Sequence, residues 1–97
     1  MKLMKSQHTK LNELIDKFNS NQKNYVAGRF MEGDFYLRTK IRFWFFRYFS
    51  SKVYLYYTDN PSVFKFHYYD SEFEEKEEKK LMELWEKITS TRVIKII

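Results

Sequence analysis

The sequence predicts an α+β fold, in which an antiparallel β-meander of four strands is preceded by one helix and followed by another. Residues 25–69 largely alternate between apolar and polar side chains, as strands with one buried face do. The segments on either side instead repeat their apolar residues at helical spacing. A fifth strand is added if the C-terminal segment joins the sheet. The 97 residues suffice for a single α+β domain with one core, spanning 1–97.

The first helix is predicted over residues 6–19. Its apolar stripe consists of Leu11, Leu14, Ile15 and Phe18. This spacing puts the four side chains on one side of a helix, which should pack on the sheet. The polar Asn-Ser-Asn run at 19–21 ends the helix.

The first two strands are predicted at 25–31 and 35–49, joined by a turn in which Gly33 supplies a positive φ. In the second strand one parity is largely apolar and should face the core: Phe35, Leu37, Ile41, Phe43, Phe45 and Phe49. The other parity carries cations and aromatic rings and should point away from the core. A strand of this length is expected to bend or bulge, because strands average about six residues.

The third and fourth strands are predicted at 52–58 and 63–69, separated by the Asp-Asn-Pro-Ser turn at 59–62. Their inward positions are Val53, Leu55, Tyr57, Phe64, Phe66 and Tyr68. With both helices packed on the inward side, the opposite side of the sheet is left without a helix. We call that side the outward face.

The second helix is predicted to begin at a capping box formed by Ser71 and Glu74 and to end near Thr89. Its apolar stripe consists of Leu81, Leu84, Trp85 and Ile88. The glutamates of its first two turns are expected to lie in solvent. The apolar residues 93–97 are predicted to form a short strand at the edge of the sheet.

The composition excludes several kinds of site. The chain has no cysteine, which rules out disulfides and thiolate metal sites and fits a cytoplasmic protein. His8 and His67 are the only histidines, too few for a zinc site without carboxylates, and no glycine-rich phosphate loop is present. We therefore expect no metal and no cofactor. The longest purely apolar run is residues 43–46, so no membrane span is expected.

The positive charge is concentrated on the predicted outward face. The net charge is +5, and residues 35–57 contain no acid. The candidate binding residues are Arg38, Lys40, Arg42, Trp44, Tyr54, Tyr56, Lys65 and His67. Cations that contact phosphates, combined with rings that stack on bases, are typical of single-stranded nucleic-acid binding. We expect a small non-enzymatic protein that binds nucleic acid through this face, single strands being favoured.

The same face also suits a protein partner. Tyr, Trp and Arg are enriched at interface hot spots, and the cations favour an acidic protein surface. Small, charged proteins of phages and mobile elements often act on host proteins. The alternative function, by that analogy of size and composition, is an inhibitor or adaptor that presents this face to a host protein. A second copy of the chain could also cover the face, as a homodimer.

No catalytic residue is assigned. His67 stands beside Lys65 and Tyr69 at outward positions and is the one candidate for acid–base chemistry on RNA. No second group accompanies it at a spacing that would support such chemistry. We therefore expect that the protein is not an enzyme.

Overall fold

The computed structural model describes residues 5–31, 34–39, 51–57 and 65–96. In chain order the elements are α1 (Lys5–Ser20), β1 (Tyr25–Met31), β2 (Asp34–Thr39), β3 (Lys52–Tyr57), β4 (Lys65–Tyr68), α2 (Glu75–Thr89) and β5 (Arg92–Lys95). This arrangement confirms the predicted α+β fold with two helices on a sheet. Neither helix of the described ranges is long and apolar enough to cross a membrane.

The five strands form one sheet in the order β1-β2-β3-β4-β5. The first four run antiparallel to their neighbours, as a meander does. The predicted C-terminal strand lies at the edge beside β4 and runs parallel to it. Its direction follows from α2, which carries the chain back across the sheet before β5 begins.

The alternation of β2, β3 and β4 separates their side chains as predicted. Phe35, Leu37, Val53, Leu55 and Phe66 are all at most 1% exposed. The predicted continuation of the second strand over residues 40–49 lies outside the described residues. So do residues 58–64, which include Phe64, and the side chain of Tyr57.

Trp85 of α2 lies at the centre of the core and is fully buried. Its ring centroid is 5.0 Å from that of Phe18 on α1, 5.1 Å from Phe35 on β2 and 5.8 Å from Phe66 on β4. The Trp85 indole N–H donates to Thr91 Oγ1 over 2.9 Å. One side chain therefore joins both helices to the inward side of the sheet, which places the outward face on the opposite side.

The start of α2 differs from the predicted capping box. The helix begins at Glu75, and Glu74 occupies the N-cap position without a side-chain capping bond. Ser71 Oγ instead accepts a hydrogen bond from the Phe73 amide over 3.1 Å. Ser71 is held against β3 by a bridge to Val53, and the Phe73 ring is buried, so the chain cannot turn into a helix before residue 74.

The prediction that the first glutamates of α2 lie in solvent is wrong for two of them. Glu78 is buried and accepts a hydrogen bond from the Tyr68 hydroxyl over 2.8 Å. Glu77 accepts one from the Tyr25 hydroxyl. Tyr25 and Tyr68 point into the core from β1 and β4, and their hydroxyls need acceptors where water is excluded. Two adjacent glutamates thus hold α2 to two strands that are not neighbours in the sheet.

Side chains form hydrogen bonds with backbone groups at both edges of the sheet. Ala27 N–H donates to Asn19 Oδ1 (2.8 Å), and Asn19 Nδ2 donates to the Ala27 carbonyl (3.0 Å). Gln22 binds Tyr25 in the same way, accepting from its N–H (2.7 Å) and donating to its carbonyl (2.5 Å). At the other edge, Glu86 Oε1 accepts from the Val93 amide over 2.9 Å. These are groups that an added strand would otherwise use.

Candidate functional site

The outward face brings five of the eight predicted binding residues onto one side of the sheet. They are Arg38, Tyr54, Tyr56, Lys65 and His67. The strand register sets their order, because Arg38 pairs with Lys52, Tyr36 with Tyr54, and Tyr56 with His67. The other three candidates, Lys40, Arg42 and Trp44, lie outside the described residues.

Three tyrosines form the aromatic part of the outward face. Tyr54 and Tyr56 are each 38% exposed and Tyr69 is 61% exposed. These are the exposed large apolar side chains of the described ranges. The Tyr56 and Tyr69 rings meet edge to face, with centroids 5.3 Å apart and planes at 67°. Large apolar side chains are therefore exposed at one place in this part of the chain, which is typical of a binding surface.

Two pairs of like charges lie on the same face. Arg38 of β2 is directly opposite Lys52 of β3, and Lys65 of β4 is in register with Arg92 of β5. Continuing the β3–β4 register past the Tyr56–His67 pair separates Lys52 from Lys65 by about six residues, or ~20 Å. The exposed tyrosines lie between the two pairs, so the face has cations at both ends and rings in the middle.

The Arg38–Lys52 pair has close geometry. Thr39 N–H donates to the Ser51 carbonyl over 3.2 Å, which makes Thr39 and Ser51 a hydrogen-bonded pair. Because the two kinds of pair alternate along an antiparallel ladder, Arg38 and Lys52 form the next, non-hydrogen-bonded pair, in which side chains are nearer. No ion pair between either cation and an acid is formed within residues 5–31, 34–39, 51–57 and 65–96. Within that part of the chain neither charge is held by a carboxylate in an ion pair, which favours contact with a polyanion.

Tyr36 is at an outward position of β2, and its ring lies over the neighbouring strand β1. It pairs with Gly28 of β1, and its ring lies where a side chain at Gly28 would stand. A Cβ at position 28 would overlap the Tyr36 ring and hydroxyl. A side chain at position 28 would therefore have to displace the Tyr36 ring, which covers a strand position that has no side chain.

A small pocket opens at the Lys52 end of the tyrosines. Its volume is about 90 Å³, and it is lined by Lys52, Tyr54, Asp70, Ser71 and Glu72. The Glu72 amide donates to the Lys52 carbonyl over 2.9 Å, and Asp70 Oδ1 accepts from the Ser71 amide over 2.9 Å. These backbone contacts hold the loop with its two carboxylates against the start of β3.

Lys52, Tyr69 and Arg92 belong to this site but are not among the eight predicted binding residues. Tyr69 was predicted at an outward position, and the parity of Lys52 relative to Tyr54 and Tyr56 places it on the same face. Arg92 could be found only from the register between β4 and β5. The pocket combines residues 52–54 with residues 70–72, and no local pattern in the sequence connects those segments.

The strongest shifts in proton affinity lie on the helix side of the sheet. Burial, followed by the hydrogen bond and the negative charge of Glu77, raises the pKa of Tyr25 from its ordinary value of 10.0 to about 12. Burial and Glu78 raise the pKa of Tyr68 further still. Both tyrosines are packed in the core, and their hydroxyls donate to the glutamates that attach α2 to the sheet. Within the described ranges no group of three His, Cys, Asp or Glu side chains is placed to hold a metal ion.

Comparisons with known proteins add no functional information. No protein-family model matches the chain, and neither curated proteins nor solved structures give a match. The geometry and charge of the outward face are therefore the features that indicate a function.

Proposed function

We propose that the protein binds single-stranded nucleic acid on the outward face without catalysing a reaction. The observation that carries this proposal is the arrangement of three exposed tyrosines between two pairs of like charges. Each base stacked on an aromatic side chain contributes ~1–3 kcal/mol, and cations along the same path attract the phosphates.

The like-charge pairs favour a polyanionic ligand in particular. Cations that lie directly opposite each other on neighbouring strands repel, which destabilises the free protein. A phosphate placed between Arg38 and Lys52 would turn this repulsion into attraction to a shared anion. Single strands are favoured over duplexes because only unpaired bases can lie flat on Tyr54, Tyr56 and Tyr69.

The test is fluorescence-anisotropy titration of labelled single-stranded and duplex DNA and RNA at low and moderate salt. We expect salt-dependent binding to single strands that Arg38→Glu and Tyr56→Ala both weaken by tenfold or more. Each phosphate contact that is removed should reduce the log–log salt slope by about 0.7. Lys80→Glu is the matched charge control, because Lys80 is exposed on α2, on the other side of the sheet.

Two results would overturn the proposal. One is the absence of binding to any nucleic acid at low salt, given a net charge of +5. The other is binding that Lys80→Glu and Arg38→Glu weaken equally, because that would show attraction to net charge without a defined face.

The second candidate function is an inhibitor or adaptor that presents the outward face to an acidic protein surface. It is favoured by the Tyr56–Tyr69 ring pair, because exposed tyrosines that already pack against each other are the kind of anchor found at interface hot spots. The salt dependence of the binding affinity distinguishes the two functions. An anchor of packed rings depends weakly on salt, whereas phosphate contacts depend on it strongly.

A further inference from the structure

We infer that the pocket lined by Lys52, Tyr54, Asp70, Ser71 and Glu72 is a base-selective subsite that accepts the Watson–Crick edge of guanine. The inference deepens the proposed function and rests on it. It assigns a preferred base to a face that otherwise contacts only phosphates and ring surfaces.

The two carboxylates of this pocket are unexpected on a face that binds phosphate. Asp70 and Glu72 line it together with Lys52 and Tyr54, and they would repel a phosphate that entered the pocket itself, away from the Arg38–Lys52 pair. No cation of the described ranges forms an ion pair with either of them. One Asp70 oxygen accepts from the Ser71 amide, which leaves further acceptor sites on both carboxylates. The pocket therefore suits a neutral group that donates hydrogen bonds.

The walls of the pocket are held in place by the backbone. Val53 is bridged to Ser71, and the Glu72 amide bonds to the Lys52 carbonyl over 2.9 Å. Ser71 Oγ is already occupied by the Phe73 amide, so the hydroxyl is fixed as well. Residues 52–54 and 70–72, which line the opening, are thus joined through their backbones before any ligand arrives.

Guanine matches this set of groups. Its Watson–Crick edge presents the O6 acceptor next to two donors, N1–H and the N2 amino group. Lys52 would donate to O6, a carboxylate of Glu72 or Asp70 would accept from the two donors, and the ring would stack on Tyr54. Uracil and thymine present two carbonyls that a carboxylate repels, and adenine and cytosine each place an acceptor where guanine has its N1–H. The volume of about 90 Å³ takes the edge of a base while its face remains on the tyrosine.

The experiment compares labelled RNA pentamers that differ only at the central position, UUXUU with X as G, inosine, A, C or U. A single guanine per strand prevents association between guanines. We expect the guanine pentamer to bind about tenfold more tightly than the uracil pentamer. Inosine should lie between them, because it lacks the N2 amino group but keeps N1–H and O6.

Substitutions in the pocket test whether the guanine preference arises there. Glu72→Gln combined with Asp70→Asn should reduce the guanine preference to below about threefold without weakening binding of the uracil pentamer. Glu74→Gln is the control, since Glu74 is exposed at the N-cap of α2 and does not line the pocket, and it should retain the preference.

The outcomes separate this inference from the proposed function. Equal binding of all five pentamers, or a preference for a base other than guanine, overturns the subsite while the binding face stands. A guanine preference that survives the double variant also overturns it. Failure of every pentamer and of longer strands to bind removes the proposed function, and the subsite with it.

Discussion

Arg38 and Lys52 lie directly opposite each other on β2 and β3, as a non-hydrogen-bonded pair of like charges. Opposed cations at such a position destabilise a sheet relative to neutral residues. The fold gains nothing from the pair, because its core is on the other side of the sheet. The pair therefore supports the proposal that this face binds a polyanion, because it does not help to hold the protein together.

Arg38→Glu should stabilise the protein and weaken its binding. The substitution turns a repulsive cross-strand pair into an attractive one, so the free energy of unfolding should rise by about 0.2–1 kcal/mol in urea titrations. Nucleic-acid affinity should fall by tenfold or more. Arg38→Gln should give intermediate values of both, since it removes one charge and adds none. A loss of stability in Arg38→Glu would mean that the two cations do not repel in the folded protein.

The amides of Asn19 and Gln22 should prevent association through the edge of β1. Removing both, as Asn19→Ala with Gln22→Ala, exposes the donors and acceptors of Ala27 and Tyr25 that the two side chains now occupy. We expect dimers or larger species to appear with rising concentration in size-exclusion chromatography with light scattering.

Asn21→Ala is the control for that experiment. The Asn21 amide donates to the Lys17 carbonyl at the end of α1 and makes no contact with a strand edge. The Asn21→Ala substitution removes the same type of side chain without exposing the backbone groups at the edge of β1. If Asn21→Ala associates as readily as the double variant, Asn19 and Gln22 do not limit association through the edge of β1.

Alternation along the chain was enough to predict the two faces of the sheet. Phe35, Val53 and Phe66 are buried, whereas Tyr54 and Tyr56 are exposed, because a strand places successive side chains on opposite sides. The buried apolar stripe of α1 could be predicted for a similar reason, since helical spacing puts Leu11, Leu14, Ile15 and Phe18 on one side.

Contacts between distant segments could not be predicted in this way. Glu77 and Glu78 look like solvated helix residues, and only the tertiary structure shows that Tyr25 and Tyr68 bring hydroxyls to them. The Lys65–Arg92 pair likewise needs the register of a parallel strand that follows a helix. For the candidate site, parity predicted the outward face, whereas its pocket depends on a loop packed against β3.

Trp85 should be the most sensitive position of the core. Trp85→Ala should lower the free energy of unfolding by ~3–5 kcal/mol, because it leaves a cavity among Phe18, Phe35 and Phe66. Leu84→Ala, at a partly buried position of the same helix, should cost clearly less. Urea titrations followed by circular dichroism measure both values. Equal losses in the two variants would show that the aromatic cluster is not the centre of the core.

Alkaline pH should unfold the protein by detaching α2 from the sheet. The pKa of Tyr25 rises from 10.0 to about 12 on folding, chiefly through burial and then through Glu77, and that of Tyr68 rises further through burial and Glu78. A raised pKa in the folded state means that the folded protein holds its protons more tightly than the unfolded chain. Stability is therefore full below about pH 10 and falls as the pH rises above it.

The slope of this loss distinguishes the two tyrosines from other groups that titrate in the same range. Each tyrosine contributes at most about 1.4 kcal/mol per pH unit, so Tyr68→Phe should flatten the decline above pH 10 measured by urea titration. The variant should still fold, because Glu78 keeps its ion pair with Lys95 at 3.1 Å. Tyr69→Phe is the control, because it removes an exposed hydroxyl and should leave the slope unchanged. If the two variants decline with the same slope as the parent protein, the Tyr68–Glu78 bond does not link the stability of the fold to pH.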